Sequence, residues 1–235
     1  MIYAMSDLHG CYDLYLKMLG EIKFLESDTL YILGDILDRG KDGMKIIKDI
    51  KSRENVITLL GNHDFTAYKV LKRIYSPVPE NENKPEYFND SLTLFKNWTQ
   101  DGGQVTYEDF GRLDDRGKAE FFEFIENMEA YEELEVGGNK FILSHAGLGN
   151  FKKNKLLSEY SLDDLIWARM DYNRTYFADK YIVSGHTPTK LIDKEYSSRI
   201  YRKNNHIAID CGAVFLGLLG CIRLDDFKEF YVSKE

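Results

Sequence analysis

The sequence predicts an α/β protein whose site is built at the ends of parallel strands. Two observations carry this. Between Ile2 and Ile74 an apolar run, a polar loop and a helix-periodic stretch follow one another three times, and each loop opens directly after its strand. Strands that alternate with helices pair in parallel through right-handed crossovers, so their loops gather on one sheet edge, where ligands of such sheets bind.

The first unit runs through Ile2, Tyr3, Ala4 and Met5 to Ser6-Asp7, with Leu14, Met18, Leu19, Ile22 and Leu25 then recurring at helical spacing. The second has a strand at Thr29 to Leu33, a loop at Gly34 to Lys41 and a helix face of Met44, Ile46, Ile47 and Ile50. The third has a strand at Val56 to Leu60, a loop at Gly61 to Asp64 and a helix to about Ile74. From Ser76 the stretch S-P-V-P-E-N-E-N-K-P-E reads as an exposed loop. Two helices follow, one around Leu92, Leu94, Phe95 and Trp98 that Gly102-Gly103 stops, the other around Phe121, Phe122, Phe124 and Ile125. Residues from about 75 to 130 are therefore expected to form a helical insertion in a single domain spanning residues 1–235. Beyond it, Glu133 to Val136 and Phe141 to Ser144 flank Gly137-Gly138-Asn139, a hairpin signal. A helix around Leu162 to Arg169 comes next, then strands at Tyr181 to Ser184, Ile207 to Asp210, Leu218 to Leu224 and Phe230 to Val232.

With 43% hydrophobic residues the 235-residue chain has material for a core, and chains of this size bury roughly 70% or more of their unfolded surface. Its 39 acidic and 31 basic residues, a net charge of -8, leave no basic stripe of the kind that binds a nucleic-acid backbone. The start, M-I-Y-A-M-S-D, has no basic n-region and reaches Asp7 before any apolar segment of signal length. A cytoplasmic location without membrane association is expected. Cys11, Cys211 and Cys221 are odd in number and lack Cys-x-x-Cys spacing, which points to neither a disulfide framework nor a zinc knuckle.

The loops carry the chemistry. In S-D-L-H-G an extended backbone sends Asp7 and His9 to one side, and a carboxylate beside an imidazole suits a divalent cation of the manganese, iron or zinc type. On these five residues alone, Asp7 capping a helix beside a packed His9 is an equal reading. In G-D-I-L-D-R-G, Asp35 follows directly on the strand and Arg39 offers a planar fork matched to phosphate or carboxylate oxygens. A surface pair of Asp38 and Arg39 accounts for those two residues but less easily for the whole heptad. L-G-N-H-D sets Asn62, His63 and Asp64 side by side, and His145 and His186 each follow an apolar run. Four of the five histidines thus sit just past predicted strands, which favours a metal site. His206 precedes its strand and stays outside it.

Taken in order, Asp-x-His, Gly-Asp-x-x-Asp-Arg-Gly, Gly-Asn-His-Asp, His-Ala-Gly and Gly-His resemble the calcineurin-like metallophosphoesterases, and within them the bacterial and phage branch of the phosphoprotein phosphatases. Trp98-x-x-x-Gly102-Gly103, Ile166-Trp167-Ala168-Arg169 and Ile209 to Phe215 extend the resemblance over nearly the whole chain. Ser6 stands where the family usually has Gly, and Asp64 where this branch usually has Glu; neither change removes a ligand.

The resemblance implies a four-layer α/β/β/α sandwich with two mixed sheets face to face. It implies two divalent metal ions, Mn2+ first with Fe or Zn as alternatives, sharing a nucleophilic hydroxide. Asp7, His9 and Asp35 would hold one ion, and Asp35, Asn62, His145 and His186 the other. His63 would be the general acid with Asp38 orienting it, and Arg39 and Arg169 would grip phosphoryl oxygens. Asp64 would orient the helix start, and Asp210 either supports a ligand histidine or caps a turn. The implied activity is a phosphoesterase, with phosphoserine or phosphothreonine proteins ranked first as substrates. Symmetrical hydrolysis of dinucleoside tetraphosphates is the close alternative. A phospho-ligand-binding module without turnover ranks last, because all six ligand positions, His63 and both arginines are present.

Overall fold

The computed structural model describes residues 1–75 and 85–234. In chain order the elements are β1 (Ile2–Met5), α1 (Tyr12–Glu21), β2 (Thr29–Ile32), α2 (Gly43–Ile50), β3 (Val56–Thr58), α3 (Asn62–Tyr75), α4 (Pro85–Trp98), α5 (Gln104–Gly111) and α6 (Asp115–Glu126). They continue as β4 (Tyr131–Val136), β5 (Asn139–Ser144), α7 (Leu162–Ile166), β6 (Lys180–Ser184), α8 (Thr189–Ile192), β7 (Tyr201–Lys203), β8 (His206–Ala208), α9 (Ala213–Leu216), β9 (Leu218–Arg223) and β10 (Lys228–Ser233).

Strand alternation decides the layering, because both faces of the central strands are apolar and both need cover. In β1 and β2, Tyr3, Met5, Leu30 and Ile32 face Leu14 and Met18 of α1 and Ile46 and Ile50 of α2. The alternate residues Ala4 and Tyr31 meet Phe141, Leu143, Val183 and Ile207 of β5, β6 and β8. On the far side Ile142, Ile182 and Ala208 pack on Leu165, Ile166 and Tyr160. Each wholly buried Leu or Ile contributes about 1.5–3 kcal/mol, so three apolar layers between four of backbone hold the sandwich.

Among the described residues the sheets run β10-β9-β1-β2-β3 and β4-β5-β6-β8-β7. β1, β2 and β3 pair in parallel, as do β5, β6 and β8, while β9, β10, β4 and β7 join antiparallel. The sandwich with two mixed sheets is thus as expected. No described helix is long and apolar enough to cross a membrane, and the three cysteines are buried and unpaired.

Several expected boundaries move. The first helix ends at Glu21 and leaves Leu25 outside it. The helix expected through Arg169 stops at Ile166, which puts Trp167 and Arg169 in a loop. Gly102-Gly103 does not end the helical run: a π-helical turn over Thr99–Gly103 redirects the chain, Gly102 taking φ 103°, and α5 restarts at once. β7 was not foreseen, because three residues are too short for alternation to show. Of the proline-rich stretch, residues 76–84 lie outside the described residues; Pro85 and Glu86 belong to α4, where proline suits a first helical position. His206, expected before its strand, is the first residue of β8, and its Nε2 donates to the Arg174 carbonyl at 2.7 Å, between the rings of Tyr172 and Tyr176.

The loops after β1 and β2 are stitched together by backbone alone. His9 N–H donates to Asp35 O at 2.8 Å, Gly10 N–H to Ile36 O at 2.8 Å and Gly40 N–H to His9 O at 3.0 Å. At the crossing, a Cβ on Gly40 would lie 2.1 Å from the His9 carbonyl oxygen. Gly20 in α1 has no such neighbour within 4 Å. Gly40→Ala should therefore cost about 1–3 kcal/mol by overpacking, whereas Gly20→Ala should gain about 0.5–1 kcal/mol of helix propensity. Urea midpoints measured for the two variants should move in opposite directions.

Candidate active site

The site gathers loops from both sheets. The expectation that Asp7 and His9 converge because their backbone is extended is incorrect: their φ angles are 53° and 40°, so the chain coils left-handed after β1 and brings both side chains in by turning. Asp35 (φ 55°), Asp38 (φ 68°), Arg39 (φ 67°) and His186 (φ 60°) share this conformation. Left-handed backbone costs roughly 1–2 kcal/mol at a residue other than glycine and collects at functional sites.

Asp35 is the hub. Its Oδ2 lies 3.5 Å from His9 Nε2 and 3.4 Å from His145 Nε2, and its Oδ1 accepts the His63 backbone N–H at 2.9 Å. Asn62 Oδ1 sits 2.9 Å from both His145 Nε2 and His186 Nδ1. Asp7 accepts the His186 backbone N–H at 3.0 Å. The six residues expected as ligands, Asp7, His9, Asp35, Asn62, His145 and His186, thus converge.

The tautomers are set from behind. His9 Nδ1–H donates to Leu37 O at 2.8 Å and His145 Nδ1–H to Leu33 O at 2.7 Å, which turns both Nε2 atoms toward Asp35. Burial lowers His9 to a pKa of about 3; burial, with the charge of His145, does the same to His186. Burial raises Asp7 to about 6, with Asp35 adding to it. Burial would raise Asp35 too, but His145 and His63 hold it well below the usual carboxylate range. Burial works against a charged His145, yet Asp35 and Asp7 push that ring up to about 10. The carboxylates therefore draw positive charge into the cluster.

These residues fit divalent cations. Ligand atoms of Asp7, Asp35 and His145 lie within 4.8 Å of one another, and so do those of His9, Asp35 and His63, giving two groups that share Asp35. His63 differs from the other rings because its Nδ1 is committed to Asp38 Oδ2 at 2.8 Å. Burial opposes its charge, and Asp35 and the bond to Asp38 outweigh that, raising its pKa. A cavity of about 470 Å³ opens over the cluster, lined also by Arg39, Arg169 and Asp210. Arg39 Nη2 donates to His63 Nε2 at 2.7 Å and to Asp101 Oδ1 at 3.3 Å, while Nη1 reaches His9. Arg169 Nη1 donates to Thr187 Oγ1 at 3.0 Å.

Asp64, expected as scaffold, has that geometry: its carboxylate accepts backbone N–H groups from Asp35 at 2.8 Å, Ile36 at 3.1 Å, Leu37 at 3.1 Å and Gly61 at 3.3 Å. Asp210 closes a turn by accepting Gly212 N–H at 2.9 Å. Sequence reasoning missed Asp101, Thr106 and Thr187, which contact Arg39, Asp38 and Arg169. A weak signal existed for the first, which directly precedes Gly102-Gly103.

A family profile described as calcineurin-like phosphoesterase matches residues 1–212. The chain belongs to that family. Among curated relatives of this calcineurin-like phosphoesterase, the symmetrical bis(5'-nucleosyl)-tetraphosphatase of Buchnera aphidicola subsp. Schizaphis graminum is 39% identical over 98 residues, 41% of this chain and 34% of that protein. The protein of the same name from Wigglesworthia glossinidia brevipalpis is 32% identical over 99 residues, 41% of this chain and 36% of its own. The matches therefore span about a third of these relatives' length. A solved structure of a protein provisionally named a diadenosine tetraphosphatase superposes with TM-score 0.67 at 15% identity, over 99% of this chain and 92% of the other. A protein serine/threonine phosphatase of Saccharomyces cerevisiae gives 0.57 at 15% identity, over 100% and 79%. At such identities these likenesses bear on the fold alone.

Asp64→Ala would leave the buried amides of Asp35, Ile36, Leu37 and Gly61 without this acceptor, each a loss of about 1–3 kcal/mol. The variant should lose stability in urea titration and Mn2+ affinity in calorimetry together, because the same loop carries Asp35.

Proposed function

We propose that this phosphoesterase is a dinuclear metal-dependent hydrolase of nucleotides, with dinucleoside tetraphosphates cleaved symmetrically as its substrate class. The chemistry is carried by one observation: Asp35 joins two groups of potential ligand atoms, and in one of them His63 has its other nitrogen held by Asp38. The substrate class is supported by the names of the curated relatives. This reverses the order expected from the sequence, where phosphoproteins came first.

Asp7, His9 and Asp35 would hold one cation, and Asp35, Asn62, His145 and His186 the other. When bound, such a pair supplies Lewis acidity and an activated water at neutral pH. The chain's own groups do the rest. Arg39 and Arg169, both lining the cavity, bind phosphoryl oxygens and neutralise charge that grows in the transition state. As a water oxygen bonds to phosphorus, the P–O bond to the leaving group breaks and its electron pair goes to the leaving oxygen. His63 Nε2 delivers a proton there, while Nδ1–H stays directed at Asp38.

Stripped with a chelator and restored with Mn2+, the protein should cleave diadenosine tetraphosphate to ADP alone, faster than it dephosphorylates phosphoserine peptides. Absence of Mn2+-dependent turnover of either, and of p-nitrophenyl phosphate, across a broad pH range would sink the enzyme reading. A faster phosphopeptide reaction would restore the protein phosphatase reading. His63→Asn should lower kcat by about 10²–10⁴-fold with Mn2+ binding retained in calorimetry.

A further inference from the structure

The helices between residues 85 and 126 show no catalytic motif in the sequence, yet they reach the centre of the site. Trp98 Nε1–H donates to Asp38 Oδ2 at 2.8 Å, the oxygen that also faces His63 Nδ1. Thr106 Oγ1–H donates to the other oxygen, Oδ1, at 2.6 Å, and the same hydroxyl accepts the Asp38 backbone N–H at 3.0 Å. Asp38 has 0% exposure, so these side chains take the place of solvent around its carboxylate.

The bracket is itself fixed. Trp98 is buried, and Gly103 passes so close that a Cβ there would lie 2.2 Å from the indole Cε2. Phe95 meets the ring edge-on at 6.4 Å. The π-helical turn between Trp98 and Thr106 is what lets both reach one carboxylate, and on the way Gly102 O accepts the Arg39 N–H at 2.9 Å.

We propose that Trp98 and Thr106 are positioning residues for proton delivery, acting through Asp38 on His63. This rests on the reading of His63 as the proton donor. A carboxylate with one neutral donor on each oxygen cannot rotate about its Cβ–Cγ bond without breaking both. Its remaining lone pair therefore stays aimed at His63 Nδ1, and the ring keeps Nε2 toward the cavity. Neither residue lines the cavity that opens over the cluster. Their effect appears only where the leaving oxygen needs its proton.

Aryl phosphates of different leaving-group basicity test this. Because positioned acids contribute about 10²–10⁴-fold, Trp98→Phe should lower kcat on phenyl phosphate about tenfold more than on p-nitrophenyl phosphate, with KM for each little moved. Thr106→Val, which keeps the side-chain shape, should show the same bias and guards against a Trp98 variant that folds poorly. Added to His63→Asn, either change should leave the ratio of the two substrates where His63→Asn alone sets it. Equal losses on both substrates, losses that multiply with His63→Asn, or a parallel fall in Mn2+ affinity by calorimetry would overturn the assignment. A His63→Asn enzyme that keeps the wild-type substrate ratio would instead overturn the reading of His63, and the assignment with it. A measurement without turnover separates the two: the indole N–H of Trp98 should exchange slowly with solvent in NMR beside fast exchange at the exposed Trp167, and fast exchange at both would overturn the bracket alone.

Discussion

The site's geometry depends on one buried carboxylate that does not line its cavity. Asp64 gathers the amides of Asp35, Ile36 and Leu37 and so forces the chain leaving β2 to curl on itself. That curl delivers Asp35 to the hub, Asp38 to His63 and the Leu37 carbonyl to His9. Because Asp64 sits in the first turn of α3, the helix start after the third strand holds the second strand's loop, and that loop holds the first's through the Gly10–Gly40 crossing. Burial and the charge of Asp35 push the Asp64 carboxyl up, to about 7, while the amide donors pull the other way.

The hub is electrostatically expensive. Buried carboxylates are tolerated only where partners meet them, and here the partners are imidazoles whose outer nitrogens are tied to backbone carbonyls. The arrangement turns the inner ring nitrogens and the carboxylates toward one another around Asp35. A cluster of that kind stays folded because helices and sheets on every side hold its loops, and it gains most from ligands that bring positive charge.

The sequence made the site's membership legible because polar residues interrupt apolar runs at the strand ends, and a parallel sheet can only send those ends one way. Asp7, His9, Asp35, His145 and His186 were within reach of that argument, whereas the choice of Asn62 over His63 as a ligand came only with the family resemblance. The backbone that presents them was not: alternation suggested an extended Asp7-x-His9, and nothing in Asp or His announces a left-handed turn. Nor did the sequence show that the segment after Trp98 bends back to the site. Helical periodicity records which face is buried, and Trp98 reads there as one more core aromatic. A polar contact made by the edge of an apolar side chain leaves no mark on that pattern. The elements at 189–192 and 213–216 were missed because four residues span barely one turn.

The left-handed residues carry a further consequence, an evolutionary one. Six site positions hold Asp, Arg or His where glycine would relax the backbone. Function and robustness are thus opposed along the same few residues: a lineage released from the proposed chemistry could relax its backbone by single substitutions at the positions proposed to carry it. Among descendants of such a chain, glycine at Asp7, His9 or Asp35 would mark relief of left-handed strain at the loss of the hydrogen bonds those side chains make.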